Sequence, residues 1–255
     1  MKTAIVTGGT TRLGSVIADR LRAGGWRVLT SSHRADAGAD IIADLSEPMG
    51  AAKLYAEALR LLGGVPPDAL VNNAGLFVGD DAAVEAVNIE SPKKLTMLMA
   101  GREAGRGAVV NILDAIVLSQ SSRPSLSSPR YAATKRALHE FTAKSAAMFA
   151  DTLRVNAVAP GPVFAPEGVH EKAAETLLGR PSAEAVADAV AFLLSAESTT
   201  GCTIPVDGGQ HLLEDVWQGA AGEALRGGEA QGAQPRNKCL PHGARTVAAD
   251  RRSGQ

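Results

Sequence analysis

The feature that most constrains this chain is a strand that runs into a glycine-rich turn and then into a helix, all within the first 23 residues. Ala4-Ile5-Val6 is a short apolar run. Thr7-Gly8-Gly9-Thr10-Thr11-Arg12-Leu13-Gly14 follows, and then Val16, Ile17 and Leu21 recur at helical spacing. Glycine removes side chains where the backbone must come close, and the N–H groups at a helix start attract an anion. A pyrophosphate suits such a turn. A purely structural strand–helix turn is the competing reading, because a glycine cluster alone is a weak motif.

The rest of the chain repeats that alternation. Apolar, β-branched runs at 4–6, 27–30, 41–43, 69–72, 108–113, 153–158 and 203–206 predict strands. Longer periodic stretches at 14–23, 51–62, 84–99, 130–149 and 183–194 predict helices. Several strand runs are apolar without a break, as parallel strands covered on both faces require. The expected fold is therefore α/β: a single doubly wound, Rossmann-type parallel sheet with helices on both faces. The character changes near Glu214, where glycine clusters and mixed charges replace large apolar residues. Residues 1–213 are expected to form one domain and 214–255 a disordered tail.

Composition narrows the function classes. The chain has 255 residues, 45% of them apolar, with 26 basic and 27 acidic residues. That balance does not suggest a nucleic-acid surface or a membrane anchor. No apolar run approaches the ~20 residues of a membrane span. The N-terminus lacks the pattern of a signal peptide. Cys202 and Cys239 match no metal or redox spacing, so no metal is expected and both are taken as reduced thiols of a cytoplasmic protein.

The second strand run ends at Ser31-Ser32-His33-Arg34. Sites for NAD usually place a carboxylate near this point, on the ribose 2′-hydroxyl. Ser32 stands there instead. A 2′-phosphate would be repelled by a carboxylate and would pair well with guanidinium groups. Arg12 and Arg34 are the candidates, and NADP(H) is the expected cofactor; a solvated basic loop is the alternative.

The strongest chemical signal is Tyr131-Ala132-Ala133-Thr134-Lys135. Positions i and i+4 share a helix face, so both functional groups can enter one cleft. A nearby ammonium is expected to lower the phenol pKa and ready it for proton transfer.

These motifs together resemble the short-chain dehydrogenase/reductase family. The turn Thr7-Gly8-x-x-x-Arg12-Leu13-Gly14 is similar to the cofactor loop of its pteridine-reductase branch, where arginine takes the place of the middle glycine. Asn72-Asn73-Ala74-Gly75, Asn88, Pro160-Gly161 and Val206-Asp207-Gly208-Gly209 follow in the family's order, and the resemblance covers about 1–213. It implies cofactor contacts at Gly8, Thr11, Arg12, Leu13 and Gly14, and at Ser32, His33 and Arg34. It implies further contacts at Asp44, Leu45, Asn73, Ala74, Gly75, Tyr131, Lys135, Pro160, Gly161 and Val163. For Asp44, a helix N-cap is the alternative. Tyr131 would donate the proton, Lys135 would hold the ribose, and Asn88 would order a water chain.

One departure points to a branch. Most of the family carry a serine at the end of the fifth strand, where this chain has Asp114, as pteridine reductases do. Phe77, two residues after Gly75, matches the phenylalanine that stacks on the pterin ring in that branch; plain core is the alternative. Asp114 and Tyr131 are 17 residues apart, longer than the family pattern. A serine between 119 and 128, such as Ser119, could take the missing serine's role. The expected substrate contacts are Phe77, Asp114 and Tyr131, with residues 163–180 as a lid. Three readings remain at this point: a pteridine-reductase-like enzyme, a broader carbonyl or 3-oxoacyl reductase, and a non-catalytic NADP(H)-binding protein. The resemblance also implies a homo-oligomer, a dimer or a tetramer.

Overall fold

The computed structural model describes residues 1–102, 105–119, 129–164 and 176–213. The expected tail at 214–255 lies outside the described residues, as does the central part of the expected lid. The elements run β1 (Thr3–Thr7), α1 (Arg12–Ala23), β2 (Arg27–Ser32), β3 (Ile41–Ile42), α2 (Gly50–Leu61), β4 (Ala69–Asn72) and α3 (Asp81–Glu85). They continue with α4 (Ser91–Ala100), β5 (Gly107–Ile112), α5 (Pro129–Met148), β6 (Leu153–Pro160), α6 (Ala183–Ser195) and β7 (Thr203–Val206).

The sheet has seven strands, all parallel, in the order β3-β2-β1-β4-β5-β6-β7. Side chains alternate across a strand, and here both faces are apolar. Ala4 and Val6 of β1 and Val110 of β5 pack with Ile17 and Leu21 of α1 and Val186, Val190 and Leu193 of α6. Ile5, Leu70 and Val109 point the other way, against Leu54 of α2, Leu95 and Met99 of α4, and Ala146 of α5. This two-sided burial explains the unbroken apolar strands. Each fully buried aliphatic side chain contributes about 1.5–3 kcal/mol.

Strand order reverses between β1 and β4. From β1 the chain builds outward to β3; from β4 it builds the opposite way to β7. The crevice beyond the C-terminal ends of β1 and β4 is the place where such sheets bind ligands.

Two elements differ from the periodic expectation. The predicted helix 84–99 begins inside α3, whose N-cap Asp80 accepts a hydrogen bond from the Ala83 N–H at 2.9 Å. A π-helical segment, Ala86–Glu90, then joins α3 to α4. Such segments insert one residue into the helical ladder and often accompany functional side chains; this one carries Asn88. In α5 the buried face includes Tyr131, Lys135, Thr142 and Ser145 beside Leu138. A helix with so polar a buried face has weak apolar periodicity, although its 20 residues form without interruption.

Candidate active site

The glycine turn lies at the switch point. Gly8 has φ +60°, a conformation that suits glycine. A Cβ on Gly14 would stand 2.0 Å from the Gly8 carbonyl oxygen, so only glycine lets α1 start this close to β1. Arg12 replaces the middle glycine of the usual pattern, yet its φ is +49°. The turn still demands a left-handed residue there, and arginine adopts it at a cost of about 1–2 kcal/mol. The N-cap of α1, Thr11, makes no side-chain capping bond, and the first turn holds no acidic residue. The Thr11 side chain thus does not cap the start of α1, and no carboxylate in its first turn opposes an anion there. Leu13 packs at the edge of the core.

Asn73 and Ala74 close the same crevice from β4. Their N–H groups donate to the Thr7 hydroxyl at 2.9 and 3.0 Å, and the Asn73 amide donates to the carbonyls of Thr7 and Gly8 at 2.9 and 3.2 Å. Thr7 was not among the expected site residues. Its signal was the hydroxyl at the strand's C-terminal end, directly before the glycines.

At the end of β2 the Ser32 hydroxyl accepts the Arg34 N–H at 3.1 Å. The Arg34 guanidinium grips Asp36 side-on, Nε to Oδ1 at 3.0 Å and Nη2 to Oδ2 at 2.8 Å. Asp36 holds the arginine pKa up, and Arg34 holds the carboxyl below its ordinary range. His33, between them and β2, is exposed. Asp44 does not cap α2, whose N-cap is Met49. Its carboxylate accepts from the Ser46 hydroxyl and N–H at 2.6 and 2.8 Å, which lowers its pKa. The neighbouring Leu45 is buried, and its carbonyl accepts the Ser91 hydroxyl at 2.8 Å.

The polar cluster lies beyond β5. Asp114 directly follows Leu113 and starts a short 3-10 turn, Ala115–Val117. One carboxylate oxygen accepts the Ile116 N–H at 3.0 Å; the other accepts the Tyr131 hydroxyl at 3.0 Å. The 17-residue spacing therefore does not separate the two groups. Ser119 is described; the serines from 121 to 128 lie outside the described residues. The Phe77 ring is 4.9 Å from the Tyr131 ring, tilted by 58°. It is 47% exposed, which excludes the plain-core alternative.

Lys135 is buried, and its ammonium donates to the Ile112 carbonyl at 2.9 Å. Its Nζ lies 5.7 Å from the Tyr131 ring centroid. Burial brings its pKa down to about 8, against the opposing pull of Asp114. The expectation that Lys135 lowers the phenol pKa is not met in this structure. Burial pushes Tyr131 up, the Asp114 charge pushes it further, and the hydrogen bond adds to both. The lysine spends its hydrogen bond on a backbone carbonyl, a partner with no sequence signature. The phenol is held in its protonated form by burial and by Asp114.

Asn88 is almost fully buried. Its amide donates to the Leu76 carbonyl at 2.8 Å and the Thr134 hydroxyl at 3.2 Å, and its oxygen accepts the Leu76 N–H at 2.8 Å. A Cβ on Gly75 would lie 3.5 Å from the Asn88 oxygen and 3.6 Å from the Lys135 Nζ. Glycine at 75 keeps that space open.

Pro160 ends β6, and a Cβ on Gly161 would meet Asp207 at 2.7 Å. Val163 follows in a tight turn and packs against the core. Arg12 reaches this side too, with its guanidinium 5.0 Å from the Phe164 ring centroid. Pro166, Glu167 and His170 of the expected lid lie outside the described residues. Asp207 accepts the N–H groups of Gly209 and His211 and bonds the His211 ring at 2.6 Å. Among the described residues no group of His, Cys, Asp and Glu is placed to hold a metal, Cys202 is a free thiol, and no helix is long and apolar enough to cross a membrane.

A doubly wound sheet with an anion-ready helix start at its switch point, and a Tyr–Asp–Lys cluster beside it, defines a dinucleotide-dependent oxidoreductase. The family model described as enoyl-(acyl carrier protein) reductase matches residues 11–211. The chain belongs to the short-chain dehydrogenase/reductase family, whose members use NAD(P). It is 33% identical over 247 residues to a ketoacyl reductase assigned to the granaticin polyketide synthase of Streptomyces violaceoruber, covering 82% of this chain and 96% of that one. It is 29% identical over 281 residues to pteridine reductase 1 of Leishmania tarentolae, covering 82% and 96%. A crystal structure of FolM alternative dihydrofolate reductase 1 from Brucella canis, complexed with NADP, superposes with TM-score 0.73 at 30% identity, over 86% of this chain and 97% of that one.

Proposed function

We propose that the protein is an NADPH-dependent reductase that transfers hydride to a pterin-like C=N bond, with Tyr131 as proton donor. The observation that carries this reading is the 3.0 Å hydrogen bond from the Tyr131 hydroxyl to Asp114, with the exposed Phe77 ring 4.9 Å from Tyr131. A carboxylate can accept hydrogen bonds from the amino and ring N–H groups of a pterin, and an exposed aromatic face can stack on a flat heterocycle. Similarity to pteridine reductase 1 and to FolM supports the same reading.

The bound cofactor supplies the hydride. The uncapped start of α1 and the turn at Gly8, Thr11, Arg12, Leu13 and Gly14 would receive its pyrophosphate. Ser32, His33 and Arg34 would face the 2′-phosphate, and Asp44 and Leu45 the adenine. Asn73, Ala74, Gly75, Pro160, Gly161 and Val163 would line the nicotinamide side. Lys135 would hold the ribose beneath Gly75. Tyr131, kept protonated by burial and by Asp114, would give its proton to the substrate nitrogen beside the carbon that is reduced. The partly buried Asp114 would then return a proton from solvent to the phenol oxygen. Asn88 holds the Leu76 backbone and the Thr134 hydroxyl, and so fixes the floor under Tyr131 and Lys135.

A second reading, reduction of a 3-oxoacyl ketone on the same machinery, is favoured by the 33% identity to the ketoacyl reductase. NADPH oxidation with dihydrobiopterin, dihydrofolate and a 3-oxoacyl thioester, run side by side, separates the two. The proposal expects turnover of the dihydropterins that Tyr131→Phe abolishes while NADPH binding persists. Turnover of the 3-oxoacyl substrate alone favours the second reading. A homo-oligomer of this chain, as a dimer or tetramer, completes the proposal and is read by light scattering.

A further inference from the structure

The loop after β2 contains a carboxylate that the 2′-phosphate reading does not use. Asp36 stands two residues beyond Arg34 in a short 3-10 turn, Ala35–Ala37, which Gly38 ends in a left-handed conformation, φ +65°. It occupies the Nε–Nη2 edge of the Arg34 guanidinium with two parallel hydrogen bonds, 3.0 and 2.8 Å. A side-on fork is also the geometry in which arginine takes a phosphate. The Arg34 backbone is held by the Ser32 hydroxyl at 3.1 Å, so the guanidinium starts from a fixed point beside its carboxylate. The other nearby acid, Asp40, is committed elsewhere: one oxygen accepts both the N–H and the hydroxyl of Thr30 at 2.8 Å.

We propose that Asp36 weakens the preference of this protein for NADPH over NADH by acting as an internal competitor for the 2′-phosphate on Arg34. The proposal rests on the reading that Arg34 faces that phosphate. A phosphate that takes the fork must displace Asp36, and a phosphate on the remaining guanidinium edge lies near a second anion. Either way the carboxylate opposes a 2′-phosphate and leaves a 2′-hydroxyl unopposed. Side chains 61% and 72% exposed make the pair weak enough to exchange. Asp36 is thus a specificity-determining residue that narrows the gap between NADPH and NADH.

The test is direct titration of the substrate-free protein with NADPH and with NADH, read by nicotinamide fluorescence. Asp36→Asn is expected to tighten NADPH about two- to fivefold, the size of an exposed ion pair, with NADH as the internal reference. In the Arg34→Ala background the same change is expected to have no effect, because the competition needs the guanidinium. Asp36→Asn with unchanged or weakened NADPH binding, while Arg34→Ala loses NADPH binding, overturns the proposal and leaves the role of Arg34 intact. Arg34→Ala with unchanged NADPH binding overturns both.

Discussion

The Asp114 carboxylate accepts the Tyr131 hydroxyl at 3.0 Å, from a position 17 residues earlier in the sequence. Burial raises the pKa of the phenol, and that contact raises it further. A carboxylate beside a buried phenol disfavours the phenolate, so the tyrosine keeps its proton in the free protein. Reduction of a C=N or C=O bond needs a proton donor of that kind.

The chain has two tyrosines, and burial raises the pKa of both Tyr55 and Tyr131. Absorbance at 295 nm is therefore expected to show no phenolate through the usual range near pH ~10 until the protein unfolds. Asp114→Asn removes the charge and is expected to bring one tyrosine down towards that range. A phenolate appearing near neutral pH in the wild type would contradict the protonated-donor account.

Lys135 has a folded pKa of about 8, below its ordinary 10.5. Above 10.5 the lysine is neutral in both states and the burial costs nothing. As pH falls through that window towards 8, the unfolded chain takes up the proton first, and stability is lost. The difference amounts to about 3 kcal/mol. Urea midpoints between pH 8 and 10.5 are expected to rise more with pH for the wild type than for Lys135→Met. Parallel curves would contradict the buried-ammonium assignment.

Arg12 keeps a φ of +49° where glycine is the relaxed residue. Arg12→Gly is expected to stabilise the free protein by about 1 kcal/mol while weakening NADPH binding, since a guanidinium is lost from the cofactor side. Thermal unfolding and nicotinamide fluorescence read the two effects on one sample. A destabilised variant would mean that the Phe164 contact outweighs the backbone strain.

Asn88 makes three hydrogen bonds from a buried π-helical segment. Asn88→Ala leaves the Leu76 N–H and carbonyl without their partner. A loss of about 1–3 kcal/mol is expected, or a fall of ~2–4 °C in Tm per kcal/mol, together with lower kcat. An unchanged Tm would contradict the positioning role given to Asn88.

The sheet was legible because its strands are apolar on both faces and its helices are periodic. Observed strands run past the expected ends at Thr7, Ser31 and Ser32, since the ladder bonds backbone groups whatever the side chain is. The π segment was not read from the sequence, because one inserted residue among the few apolar positions of 84–99 can be accommodated by a single helical pattern. Tyr131, Lys135 and Asp114 were readable as residues, but the direction of the Tyr131 shift was not. That direction depends on how deeply Tyr131 is buried and on Asp114 coming within hydrogen-bond reach, neither of which the spacing shows. The Arg34–Asp36 pair was hidden for a different reason: both residues were visible, but only the folded turn brings the fork together.

The proposed function assigns to Asp114 the preference for a pterin over a ketone. The most direct measurement is the ratio of kcat/KM for dihydrobiopterin to that for a 3-oxoacyl thioester, with NADPH, in the wild type and in Asp114→Ser. The ratio is expected to favour dihydrobiopterin in the wild type and to fall by about tenfold or more in the variant, the loss of one charged hydrogen-bond acceptor. A wild-type ratio that favours the 3-oxoacyl substrate, or one that Asp114→Ser leaves unchanged, would contradict it.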